Sequence, residues 1–204
     1  MNPAKIRLSE EEAALIQNAQ IILTKNLALQ KMKGLLEGLV AGQEDLLQEY
    51  GHHLPADVRS VPPKVSRGEH YQGLPYLVLD HPRYFGKEQV FAIRTLFWWG
   101  HYFSVTLHLS GQFRERYLNA IAGSAAWLGA NGFYFANGPD EWDHRIESPA
   151  YQPVAGEKEP GWANRAGDGH FLKLAKTIPL THWDTVEPEL LKAFWGLLNC
   201  LAEG

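Results

Sequence analysis

Four histidines of this chain stand beside an aspartate, in the pairs Asp80-His81, Asp143-His144, Asp168-x-His170 and His182-x-Asp184. An imidazole oriented by a carboxylate can act as a general base. Several such pairs converging in one cleft could instead hold a divalent cation through nitrogen and oxygen ligands. The densest stretch is Asp140, Glu141, Asp143 and His144, wrapped around Trp142. Nine histidines and 23 acidic residues also produce such neighbours by composition alone, so each pair taken singly is expected to be structural or solvated.

A second group is built on aromatic rings. Phe97, Trp98, Trp99, Tyr102 and Phe103 surround one turn at Gly100. Consecutive tryptophans in a strand point to opposite faces, so both are buried only where both faces are covered. Otherwise one of them lines a pocket or an interface, where large rings with a polar tip are favoured. Arg94 shares a strand face with Ala92, Leu96 and Trp98, and His108 shares one with Ser104 and Thr106. A guanidinium in an apolar row either snorkels to an edge or anchors an anionic group. Arg94, Trp98, Trp99, Tyr102 and His108 are therefore the candidate ligand-binding residues, and the expected ligand is a small molecule with an anionic group.

No catalytic residue and no metal or cofactor site is assigned. The chain has no phosphate-cradling glycine loop, no Gly-x-Ser-x-Gly elbow, no His-Glu-x-x-His pair and no cysteine pair for zinc. Its lone cysteine, Cys200, lies in an apolar stretch and reads as a small core residue.

Two kinds of element must position these groups. Residues 9–50 read as helix. Ser9 and Glu12 have capping-box spacing, and apolar stripes follow at Leu15, Ile16, Ala19, Ile22 and Leu23, then at Met32, Leu35, Leu36, Leu39 and Val40. A break near residues 24–26 or at Gly42 would fold this segment into an antiparallel helical hairpin or a three-piece helical segment. Gly34, Gly38 and Gly42 lie four apart, which puts them on one stripe and suggests a close helix contact, including a homodimer seam. Residues 51–73, rich in proline and glycine, read as a long loop. Strands are expected at 76–79, 90–98, 102–109, 133–135 and 171–178, with helices at 113–128 and from Pro188 onward. Residues 137–169 read as loop, with Trp142, Tyr151 and Trp162 packing it down.

Helical runs and strand runs are segregated, so the fold class is α+β: an N-terminal helical hairpin packed with a mainly antiparallel β-sheet and a C-terminal helix. A single domain over residues 1–204 is expected, with 1–50 helical, 51–73 loop and 74–204 carrying the sheet. The net charge of −4 gives no basic stripe, which argues against nucleic acid. No apolar run approaches the length of a membrane helix and the N-terminus is polar, so a cytoplasmic protein is expected. The functional expectation is a binding module that uses the aromatic sheet face. The alternative is a hydrolase with a His/Asp acid–base or divalent-metal site, in which Asp143, His144, His170 and His182 would converge.

Overall fold

The computed structural model describes residues 6–154 and 169–202. Trp162 and Asp168 lie outside the described residues. The chain opens with α1 (Glu10–Gln17), α2 (Ala19–Tyr50) and a single turn, α3 (Ala56–Arg59). Four strands follow: β1 (Lys64–Tyr71), β2 (Leu74–Phe85), β3 (Val90–Trp98) and β4 (Tyr102–Ser110). After α4 (Gln112–Gly123) and α5 (Ala125–Ala130) come β5 (Tyr134–Ala136), β6 (Tyr151–Pro153) and β7 (Phe171–Pro179). A 3-10 helix (Leu180–Thr185) leads into the C-terminal α6 (Val186–Cys200). The seven strands among the described residues form one sheet in the order β1-β2-β3-β4-β7-β5-β6, antiparallel at every pairing. The fold is α+β, as the segregation of helices and strands implies.

The helical N-terminus differs from the expected hairpin. The Ser9–Glu12 capping box forms, but the break falls at Asn18, and α2 then runs unbroken for 32 residues, about 48 Å. Asn18 departs from helical geometry and its side chain caps the new helix at Gln20 N–H. Gly42, where a break was expected, is absorbed within the helix, as are Gly34 and Gly38. At Gly42 the missing side chain lets α6 approach, since a Cβ there would sit 2.9 Å from Leu191 Cδ1. The stretch read as loop, 51–73, contains α3 and the strand β1. Its polar sequence hid it, because β1 is an edge strand whose residues are exposed or only half-buried. Gly68 is required there: the Tyr76 ring crosses it at a distance that excludes any Cβ.

Strand β2 is longer than its apolar run. It passes through a cis His81–Pro82 peptide, where its register against β3 shifts between Asp80 and Arg83. A bulge is where a sheet interior tolerates proline. The expected helix over 113–128 is split at Ser124 into α4 and α5.

Strand alternation divides the side chains between two layers. On one face Leu77, Leu79, Phe91, Ile93, Phe97, Phe103, Val105, Leu107 and Leu174 pack against α2, α4 and α6. Leu29, Leu36, Leu39 and Leu47 supply the buried stripe of α2, and Leu190, Phe194 and Leu197 that of α6. The other face carries a smaller apolar cluster, Val78, Leu96, Trp98, Tyr102 and Ala175, covered by Ile146 and Tyr151. Beside that cluster lies a set of buried charged and polar groups.

Candidate functional site

Cross-strand register assembles the polar set. Asp80 pairs with Arg94, Arg94 with Thr106, and Thr106 with Ala175; one step along, Ala92 pairs with His108 and His108 with Lys173. These side chains share the face away from the helices, so four neighbouring strands present Asp80, Arg94, His108 and Lys173 to one spot. Arg94 binds Asp80 through both oxygens, Nε to Oδ1 at 2.7 Å and Nη2 to Oδ2 at 3.0 Å. Its Nη1 donates to His144 Nε2 at 3.0 Å. His144 is therefore the neutral tautomer with its proton on Nδ1, an atom without a partner among the described residues.

The face is closed by a strap, residues 140–146. Lys173, 1% exposed, donates from Nζ to the carbonyls of Glu141 at 2.8 Å and Asp143 at 2.7 Å. Three tyrosines complete the fastening. Tyr71 Oη accepts from His144 N–H and donates to Asp143 Oδ1. Tyr102 Oη donates to the His144 carbonyl and accepts from Ile146 N–H. Tyr151 Oη donates to the Asp143 carbonyl at 2.6 Å. Buried strap carbonyls and amides that would otherwise be orphaned are thus satisfied from the sheet. Asp143 is further held by Arg145, Nη2 to Oδ2 at 2.8 Å.

Burial controls the charge states. His108 is pushed down to about 3, by burial first and then by the Lys173 and Arg94 cations. It is neutral near pH 7, so its 3.0 Å contact with Glu141 is a hydrogen bond from Nε2–H to a carboxylate and not an ion pair. His144 lies well below its ordinary value for the same reasons. Lys173 is lowered to about 7, because burial and the Arg94 cation outweigh Asp143, Asp140 and Glu141. Burial works to raise Asp143, but Arg145 and the Tyr71 hydroxyl more than offset it and leave its carboxyl below the ordinary range. Tyr102 and Tyr151 are raised, chiefly by burial.

The mouth of this nest is aromatic. Trp142 is 44% exposed. It lies 5.0 Å from the His108 ring and 6.3 Å from Phe85, with the Arg94 guanidinium 5.9 Å from its centroid.

Of the sequence candidates, Arg94 and His108 stand in the charged nest. Trp98 and Tyr102 stand on the same face at the hairpin end, where His101 stacks on Trp98 at 3.5 Å. Trp99 points to the opposite face and lines a groove with Ile21, Thr24, Leu74 and Pro75. Of the His/Asp pairs, Asp143 and His144 enter the nest, whereas His170 is exposed and His182 pairs at the surface with Glu189 of α6. No group of three or more metal-ligating side chains forms among the described residues. Lys173 and Tyr71 were not singled out in the sequence; Asp80 stood there only as the neighbour of His81, Tyr102 as a ring of the hairpin and Tyr151 as a residue packing a loop. Lys173 carried a signal, a charge alternating with Phe171 and Ala175 in a strand, the same signal that marked Arg94. Comparison with protein-family models, with curated proteins and with solved structures finds no match to this chain.

Proposed function

We propose that the protein is a binding module for a small molecule with an anionic group, received on the sheet face at Arg94, His108 and Lys173 beneath Trp142. One observation carries this reading: these three nitrogen-bearing groups converge on one sheet face, and the strap satisfies them with its own acceptors. Glu141 offers its carboxylate to His108, the Glu141 and Asp143 carbonyls take Lys173, and His144 takes Arg94. The strap occupies the positions that a ligand's oxygens would take. Burying charge costs stability relative to apolar packing, so a nest of this kind is a functional candidate on physical grounds. The hydrolase reading is weaker on the same geometry, because the Asp143 carboxylate is committed to Arg145 and Tyr71 and His144 Nε2 to Arg94.

Tryptophan emission tests the proposal, with inorganic phosphate, citrate and adenosine monophosphate as probes. At least one should give a saturable change that disappears in Trp142→Phe and requires at least about tenfold more ligand in Lys173→Met. A flat response to all three probes, or binding unaffected by both substitutions, would overturn it.

A homodimer is a second reading, favoured by α2. Leu23 and Leu27 are 55% and 58% exposed on the same outward stripe as Gly34 and Gly38, where a Cβ would meet nothing within 4 Å. Two copies crossing antiparallel would lay the leucines of each over the glycines of the other, a self-complementary two-fold contact. Light scattering should report a dimer that Leu23→Glu with Leu27→Glu converts to monomer. A monomeric wild type at about 100 μM rules it out.

A further inference from the structure

Strand alternation turns Asp80 of β2 toward the strap and its neighbour His81 to the opposite face. His81 lies at the base of a cavity of about 710 Å3, walled by the C-terminal half of α2 and by residues 52–63. His81 is 5% exposed, and neither Nδ1 nor Nε2 has a partner among the described residues. Buried imidazoles ordinarily have their nitrogens engaged, so an orphaned pair lining a cavity asks for a partner that enters it. The cavity is within the size range of small-molecule sites.

The walls define what could enter. Glu44 stands on the α2 wall and Arg59 on the other, and neither is in an ion pair with the other or with any described residue. The Arg59 Nε donates to the Leu54 carbonyl, which orients the guanidinium and leaves its two terminal nitrogens for a guest. Pro62 and Pro63 give an apolar surface, and the Arg83 Nε holds the Pro62 carbonyl in place at 3.0 Å. Burial and the nearby Arg83 cation lower His81 to about 4, so near pH 7 its ring offers one N–H donor and one lone pair rather than a charge. The opposed charges of Glu44 and Arg59 match a guest that carries one charge of each sign.

We propose that this cavity binds a free amino acid with an apolar side chain: its carboxylate on Arg59, its ammonium on Glu44, a polar atom on His81, and its side chain against Pro62 and Pro63. The site lies on the opposite side of the sheet from the strap and does not depend on the reading given to that face.

Titration of the full-length protein with L-phenylalanine and L-leucine, followed by calorimetry and by the imidazole resonances of His81, tests the assignment. Saturable binding of at least one amino acid with a shift of the His81 signals is expected. 3-Phenylpropionate and phenethylamine, each keeping one charge of phenylalanine, should bind at least about tenfold more weakly. Arg59→Gln, at an exposed position, should weaken the amino acid at least about tenfold without disturbing the fold, and His81→Phe should do the same. The proposal is overturned by no binding of either amino acid up to about 10 mM. Equal affinity for the one-charge analogues, or an Arg59→Gln variant that binds as the wild type does, would overturn it as well.

Discussion

Acidifying this protein must place protons on imidazoles that its interior refuses. His81 and His108 are held down to about 4 and about 3, and His144 well below its ordinary value, in each case chiefly by burial. Below the ordinary histidine value of 6.5 the unfolded chain therefore binds protons that the folded chain does not. The sign follows: the stability these residues contribute is complete above pH 6.5 and declines as pH falls from there toward 4 and 3. Each unit of pH in that window costs up to about 1.4 kcal/mol per group. Urea unfolding at pH 6.5 and pH 4.5 should differ by several kcal/mol, on the order of 5. His108→Gln should shrink the difference. Lys173 acts in a higher window. Its folded value of about 7 lies below the ordinary 10.5, so the unfolded chain holds the extra proton between them and stability rises across that range. Lys173→Met should abolish the rise. Equal stability at pH 6.5 and 4.5, or an unaltered alkaline rise in Lys173→Met, would contradict these assignments of charge.

At the scale of elements, α2 carries glycines of two kinds. Gly34 and Gly38 face open space, so Ala at either position meets no obstacle and removes the backbone-entropy cost of glycine within a helix. In the Leu23→Glu, Leu27→Glu background, where no second copy can cover them, Gly34→Ala and Gly38→Ala should each stabilise the chain by about 0.8–1 kcal/mol. Gly42→Ala should gain less or lose outright, because its Cβ would meet Leu191 of α6 at 2.9 Å. Thermal unfolding of the three variants separates these outcomes; three equal gains would mean that α6 does not press on α2 at Gly42. The strap is organised differently. It has little regular structure and takes its shape from Tyr71, Tyr102, Tyr151 and Lys173, which reach it from four separate strands.

Over the whole molecule, the parts legible in the sequence are those with local periodicity. The strands β3, β4 and β7 and the helix α6 stand within a residue or two of where their patterns place them, because alternation and three-to-four spacing report burial directly. The opposite orientations of Trp98 and Trp99 were expected from the pleat, although Trp99 itself lies in the turn just past the end of β3. Strand β1 was illegible because an edge strand with polar residues has no buried row to reveal it. The unbroken α2 was illegible because packing against α6 and the sheet overrides the local cost of three glycines. Within the site, two separate alternations placed Arg94 and His108 each on a row of its own strand, and that the two rows share a face is a matter of register. Their meeting with Asp80, Lys173 and residues 140–146 depended on strand register and a chain reversal, both long-range facts that no window of sequence contains.

Among the described residues the sheet is not closed into a barrel and ends in two borders, β1 and β6. Unpaired backbone at such a border is a template on which a foreign strand can crystallise into fibrils. Along β1 the side chains include Lys64, Arg67 and Glu69, with Glu69 drawn to Lys25 of α2, so an incoming strand would have to strip water from ions. The far border spans only three residues and finishes on Pro153, which has no amide hydrogen to offer. Solvated charge on the long margin and brevity on the short one are the features that disfavour strand-by-strand polymerisation of the folded protein.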